Sequence, residues 1–351
     1  MPKTGIIYHD DYLKHETGGH PERKERLIAT MGLLKKSKAL EKLMCITPKR
    51  ATTEQIGWVH DAPYIEMIQA LCQSGGGMLD PDTVLSQDSY EVAVLAAGGV
   101  INAVEAVMND LKSVFALIRP PGHHAEASHG MGFCIFNNVA IATRYAQKQY
   151  KVKKILIVDW DVHHGNGTQN IFYDDASVLY FSIHQSPFYP GTGSMDEIGA
   201  DDGKGFTVNV PLPGGIGDAG YVYVFNEILI PIALEFRPEL VLISAGQDAH
   251  FADPIGGMSL TAEGFGHIAG IVRSIANSTC KGRIVAALEG GYDLSALPYS
   301  VLSILNAFGD LGIDIKEPMP VPSALKDEVS SRVRQRVKEV KEAQKEYWGV
   351  L

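Results

Sequence analysis

The sequence predicts an α/β fold: a central, mainly parallel eight-stranded sheet with helices on both faces, and three observations carry this. Eight short apolar runs recur, at residues 6–8, 43–46, 114–118, 155–158, 178–183, 206–210, 240–243 and 284–288. Most are continuous rather than alternating, as in strands covered on both faces. Helical periodicity lies between several of them, clearest at 90–108, where Val94, Ala97, Ile101, Val104 and Met108 share a face; segments 138–149 and 221–234 read the same way. Strands alternating with helices imply a parallel sheet. Finally, four of the runs end in clusters of ionisable residues, and open parallel sheets bind ligands at that edge.

Taken in order, the chain reads as one domain over residues 1–320. Residues 185–205 carry five glycines, prolines and several acids, a long loop of the kind usually tied to function. Pro318-Met-Pro-Val-Pro322 is a stiff connector. Beyond it Val329, Val333, Val337 and Val340 form an apolar stripe among charged residues, so 321–351 is expected to be an amphipathic helix packed on the same domain.

The 351 residues include 31 Lys+Arg against 41 Asp+Glu, a formal net charge of −10. That balance argues against direct nucleic-acid binding, which needs a basic surface. The four cysteines are scattered and form no C-x-x-C pair, so neither a thiolate zinc site nor a disulfide framework is suggested. Cys134 reads as a small buried hydrophobe. No signal-peptide pattern opens the sequence, and no apolar run approaches membrane-span length. The expectation is a cytoplasmic protein (nuclear if eukaryotic) without a membrane partner; a homo-oligomer is compatible with the sequence.

Run 155–158 leads into Asp159-Trp-Asp161-Val-His163-His164-Gly165-Asn166-Gly167. Run 114–118 leads into Arg119-Pro-Pro-Gly-His123-His124, run 240–243 into Ser244-Ala-Gly-Gln-Asp248, and run 284–288 into Glu289-Gly-Gly-Tyr292. Burying that much polarity is costly unless something pairs with it. Asp161 and His163, one residue apart, can point the same way, and Asp248 adds a third ligand. Three protein ligands leave one position open, the pattern of a catalytic zinc site. Gly165 stands where a further carboxylate of a binuclear site would fall, so one metal is expected. A zinc-activated water needs a base and an acid, and His123 and His124 are both candidates. Asp159 is free to orient one of them, and Tyr292 to donate to a developing oxyanion. Taken singly, each residue has a plain structural explanation; four strand ends together favour the chemistry. His9, His15, His60, His129, His184, His250 and His267 read as surface or hydrogen-bonded polar residues.

These motifs, with Gly132-Phe-Cys-Ile-Phe-Asn-Asn138, Phe188-Tyr-Pro-Gly-Thr-Gly193 and Asp253-Pro-Ile-Gly-Gly-Met258, resemble the zinc-dependent histone deacetylase superfamily over roughly His20 to Leu297. The likeness is to its class II-like branch, with bacterial deacetylase-like proteins and acetylpolyamine amidohydrolases. It implies the arginase/deacetylase three-layer fold, with Asp161, His163 and Asp248 as zinc ligands. It makes His124 the general base and acid, backed by Asn166 where class I members carry Asp, and His123 an electrostatic partner paired with Asp159. Tyr292 would polarise the acetyl carbonyl. Phe133 and Tyr189, the latter replacing the more usual Phe, would wall a substrate channel to which Gly132 and Asp82 also contribute. Structural potassium is implied at Asp159, Asp161, His163, Ser182 and Ile183, and again at Phe172, Asp175, Val178 and Phe206. The implied substrate is an acetylated lysine peptide or protein, with an acetylated small amine as the alternative and a non-catalytic acyl-lysine binder as the least favoured reading. Ile255 occupies the place of the acidic gatekeeper of polyamine-selective members. Asp80 and Asp82 fall where a rim acid is common, though an Asp-Pro-Asp-Thr turn capping the following helix explains them equally well.

Overall fold

The structure, a computed structural model, describes residues 3–322 and 328–351. In chain order its strands are β1 (Thr4–Ile7), β2 (Met44–Ile46), β3 (Gly76–Met78), β4 (Val84–Ser86), β5 (Ser113–Ala116), β6 (Ile155–Asp159), β7 (Val178–Gln185), β8 (Thr207–Leu212), β9 (Leu240–Ala245) and β10 (Ile284–Leu288). Eight of them form one sheet in the order β2-β1-β5-β10-β9-β6-β7-β8. Every pairing in it is parallel, and each of the eight apolar runs overlaps one of these strands. β5, β6, β9 and β10 are buried along their whole length, as continuous apolar strands between helical layers must be. β3 and β4 form a separate antiparallel hairpin, which the sequence did not reveal because its Gly76-Gly-Met78 arm carries almost no strand propensity.

Helix Ser89–Asn109 is buried nearly all round, not on one face. It contacts β1, β5 and β10 on one side and helix Asn138–Tyr150 on another, and its Ala and Gly residues allow that close packing. Gly98 is indispensable there, since an added Cβ would lie 1.9 Å from the Lys49 carbonyl oxygen. The expectation that no segment reaches membrane-span length is corrected: Ser89–Asn109 and Asp218–Phe236 are both long and apolar enough, but 72% and 50% of their apolar windows are buried inside the fold. Helices packed into the core of a globular fold pass the same length and hydropathy test. Asp218–Phe236 opens into a π-helical turn at Phe225–Leu229, just before Pro231, which has no N–H to continue an α-helical ladder.

Helix Ser331–Gln344 buries Val333, Val337 and Val340 and lies along β8, the sheet's edge. Gln344 Nε2 donates to the Thr207 carbonyl at 2.8 Å and Trp348 Nε1 to the Gly205 carbonyl at 2.9 Å. A bare edge strand is thereby covered. Within the segment 321–351, residues 323–327 lie outside the described residues.

Candidate active site

The four strands that end in ionisable clusters, β5, β10, β9 and β6, are consecutive in the sheet. Their C-terminal ends bring Asp161, His163 and Asp248 together, with one ligand-type atom from each within 4.8 Å of the others. His163 Nδ1 lies 3.1 Å from Asp161 Oδ1 and 3.2 Å from Asp248 Oδ2. The other carboxylate oxygens are already committed: Asp161 Oδ2 accepts the Gly290 N–H at 2.9 Å and Asp248 Oδ1 the Val162 N–H at 2.9 Å. Asp248 Oδ2 is buried without a hydrogen bond. Burial, then the charge of Asp161, pushes the Asp248 carboxyl up to about 7. For His163 burial opposes charge, yet the two carboxylates overcome it and push the imidazole up to about 10. The cluster therefore calls for positive charge between two carboxylates and one Nδ1. A divalent cation answers that demand, and the donor set suits zinc. Gly290 keeps the space clear, because a Cβ there would stand 2.0 Å from Asp248 Oδ2.

His123 and His124 follow β5 and are both buried. His123 Nδ1 lies 3.0 Å from Asp159 Oδ2, which also accepts the Tyr180 hydroxyl at 3.1 Å. Burial works against protonation of His123, but Asp161 and Asp159 outweigh it and push it up to about 10. His124 moves the other way, well below the ordinary value, through burial and then the neighbouring His123 and His163. Its Nδ1 is 2.8 Å from Asn166 Oδ1, while Asn166 Nδ2 donates to Glu126 Oε1 at 2.8 Å. Glu126 thus fixes which way the amide points, so His124 donates from Nδ1 and keeps its lone pair on Nε2. It also accounts for Asn at 166, since a carboxylate there would face Glu126.

A cavity of about 300 Å³ leads to this group, lined by Gly132, Phe133, Phe188, Tyr189, Ile255, Tyr292 and Asp82 among others. Phe188 stacks on His163 with centroids 5.3 Å apart, and Tyr189 meets His124 edge-on at 5.2 Å. Phe133 stands edge-to-face with Tyr292 at 5.7 Å. Its φ of 71° is a strained setting for an aromatic residue, held by Thr83 Oγ1, which accepts the Phe133 N–H at 3.0 Å. Gly132 is required beside it: a Cβ would fall 2.4 Å from His124 Cδ2, and φ is +55°. The acids of 80–83 divide their roles. Asp80 Oδ1 accepts the N–H groups of Asp82 and Thr83, capping the tip of the β3–β4 hairpin and not a helix, because a strand follows. Asp82 lines the cavity, and its Oδ1 has no hydrogen-bond partner.

Several contributors escaped sequence reasoning. Phe188 was legible only as the neighbour of Tyr189. His20 lies edge-on to Phe133 at 4.4 Å. Glu22, Arg26 and Arg119 form a buried ion cluster, from which Arg26 donates to the carbonyls of Gly291 and Glu289 and sits 4.8 Å over the Tyr292 ring. The Glu22–Arg26 spacing of four was the available signal. Of the residues implied for potassium, Ser182 pairs with Asp159 across β6 and β7, next to Ile183. Asp175 takes Arg144 at 2.6 Å, and its N–H and carbonyl bond Phe172 and Val178, while the Phe206 carbonyl accepts from Tyr180. Cys134 is buried, and burial holds its thiol well above the ordinary value. His123, Cys134 and Glu289 also approach one another. There, however, Glu289 Oε2 is engaged by the Gly122 and His123 N–H groups and His123 by Asp159.

Comparison with known proteins agrees with this geometry. The histone deacetylase domain family matches residues 20–308. A probable deacetylase of Archaeoglobus fulgidus is 43% identical over 98% of this chain and 98% of its own. Histone deacetylase 14, chloroplastic, of Arabidopsis thaliana is 37% identical, covering 94% of this chain and 82% of that one. The crystal structure of the HDA15 HD domain superposes with a TM-score of 0.90 at 35% identity, covering 100% of this chain and 97% of the other. The chain belongs to the histone deacetylase family, whose members are metal-dependent hydrolases of acetylated amides, and it carries that family's fold around an all-parallel sheet.

Proposed function

We propose that the chain deacetylates N-acetyl-lysine side chains, with zinc held by Asp161, His163 and Asp248. The observation that carries this reading is the convergence of those three donors at a narrow aromatic cavity that His124 and Tyr292 also line. When bound, zinc supplies Lewis acidity that makes a water nucleophilic near neutral pH and polarises a carbonyl. His124, with Nδ1–H committed to Asn166, takes a proton at Nε2 and returns it to the departing amine. His123, kept positive by Asp159, disfavours a second charge next to it and keeps His124 ready as a base. The Tyr292 hydroxyl donates a hydrogen bond to the acetyl oxygen and keeps its proton, and Phe133 and Tyr189 flank the lysine stem.

One observation favours a second reading, an acetylated polyamine: Asp82 brings a carboxyl group to the wall of the cavity, where it suits a distal ammonium. Ile255 at the cavity opposes it, presenting an apolar side chain where a second cation would pass. Zinc-loaded protein should turn over an acetyl-lysine peptide with a higher kcat/KM than acetylputrescine or acetylspermidine; the reverse order would assign the polyamine substrate. Tyr292→Phe should lower kcat about 10²–10³-fold at unchanged zinc content. Full activity in that variant, or activity undiminished by chelation with no metal bound, would sink the mechanism.

A further inference from the structure

We infer that Asp253 is the positioning residue of Tyr292, an inference that rests on the carbonyl-polarising role proposed above for that tyrosine. Asp253 is 7% exposed and has no bonded cationic partner among the described residues, so its carboxylate is spent on backbone N–H groups. Oδ2 accepts the Tyr292 N–H at 2.6 Å, and Oδ1 accepts the Ile255 N–H at 3.1 Å. The Ile255 bond is a local turn two residues away and would be made by any Asx turn. The Tyr292 bond spans 39 residues and joins the loop after β9 to the loop after β10.

Tyr292 needs such an anchor. It follows Gly290-Gly291, and Gly291 has φ of +111°, so the turn has little stiffness of its own; Arg26 Nε holds the Gly291 carbonyl at 2.7 Å, and Asp253 holds the N–H on the other side of the same peptide. Its ring is bounded by Phe133 edge-on and by Arg26 above. Neither contact fixes how far the side chain reaches toward His163 and His124. The short charge-assisted bond to its own N–H does fix the backbone from which it projects. Two carboxylate oxygens that each accept an N–H also cannot be copied by an amide, whose NH₂ turns one donor–acceptor contact into a donor–donor clash.

The test is a double-mutant cycle on the zinc-loaded protein. Asp253→Asn should lower kcat by at least about tenfold, as a misplaced catalytic group does, with KM within about twofold. In a Tyr292→Phe background the same substitution should change kcat by less than about twofold, because the group it positions is gone. Independent, multiplying losses would overturn the inference while leaving the role of Tyr292 intact, as would a KM-only effect passing through Ile255. Full activity of Tyr292→Phe alone would remove both. Should Asp253→Asn not fold, Asp253→Glu is read through the same cycle. In the unaltered protein the Tyr292 amide should be shifted downfield and protected from hydrogen exchange; exchange at an open-loop rate would also overturn the inference.

Discussion

Glu22→Gln tests the buried ion cluster behind the site, and its magnitude follows from the structure. Glu22 Oε1 and Oε2 accept Nε and Nη2 of Arg119 at 2.5 and 2.8 Å, and Nη1 of Arg26 lies 3.2 Å from Oε1. All three side chains are at most 1% exposed. Burial alone would raise the Glu22 carboxyl; the charge and hydrogen bonds of Arg119, then His15 and Arg26, outweigh it and bring it from 4.5 to about 2. At about 1.36 kcal/mol per pH unit that corresponds to about 3 kcal/mol of stability at neutral pH. Removing one partner of a buried pair independently gives about 3–5 kcal/mol. The folded pKa lies below the unfolded one, so the stabilisation is complete above about pH 4.5 and drains away as pH falls toward 2. Urea unfolding of wild type and Glu22→Gln should therefore show a gap of about 3 kcal/mol at pH 7, narrower by about 1.4 kcal/mol at pH 3.5. Activity should fall with stability, because a released Arg26 loosens the carbonyls of Glu289 and Gly291 that flank the catalytic turn. A gap below about 1 kcal/mol at pH 7, or one of constant size across the acid limb, would refute the assignment.

Three further outcomes follow from single sites. His60 donates from Nδ1 to the Glu126 carbonyl at 2.9 Å and accepts the Asn137 N–H on Nε2 at 2.8 Å, and burial lowers both it and His15 to about 4. Each contributes stability that is complete above about pH 6.5 and lost as pH falls through 4, so the acid limb should begin near pH 6.5; an imidazole NMR signal showing His60 protonated at pH 5.5 in the folded state would contradict this. Gly132→Ala should leave a folded protein whose kcat/KM is down by at least about tenfold, because its Cβ meets His124 at 2.4 Å; wild-type turnover would show that the wall gives way freely. Trp348, 5% exposed and packed against Phe206 and Phe236, should cost about 3–5 kcal/mol as Trp348→Ala, measured by chemical denaturation, and a loss under 1 kcal/mol would mean that the C-terminal segment covers β8 without stabilising it.

What the sequence disclosed and what it hid divide along a physical line. Strands buried on both faces announce themselves as continuous apolar runs, and seven of the eight in the sheet did so; β2, at the edge, has the apolar run but is largely exposed. Ionisable residues just past such runs were legible because burying them is costly without a partner. The hairpin β3–β4 was not, since its order comes from tertiary bonds to Gly132 and Phe133 and not from its own propensities. Nor was the Glu126–Asn166 contact, whose partners lie 40 residues apart. The left-handed setting of Phe133 was equally hidden, because strain of this kind is imposed by neighbours and leaves no mark on composition.

The strand order shows why the site could be listed from sequence yet only assembled by the whole chain. Residues up to about 238 contain both histidines and the Asp161–His163 pair, but β5 and β6 are not neighbours. β10 and β9 stand between them, so the strands carrying His123 and Asp159 lie three strand spacings apart, about 14 Å. Asp159 ends β6 itself, so their 3.0 Å contact exists because the loop after β5 reaches across the ends of the two inserted strands. Those strands supply Asp248, the Gly290 N–H that fixes Asp161, and Tyr292. The last two strands of the sheet in chain order therefore complete the candidate metal ligands and also set the distance that the loop after β5 must cross. A chain ending before residue 284 would hold most of the ionisable residues and have no site in which to use them.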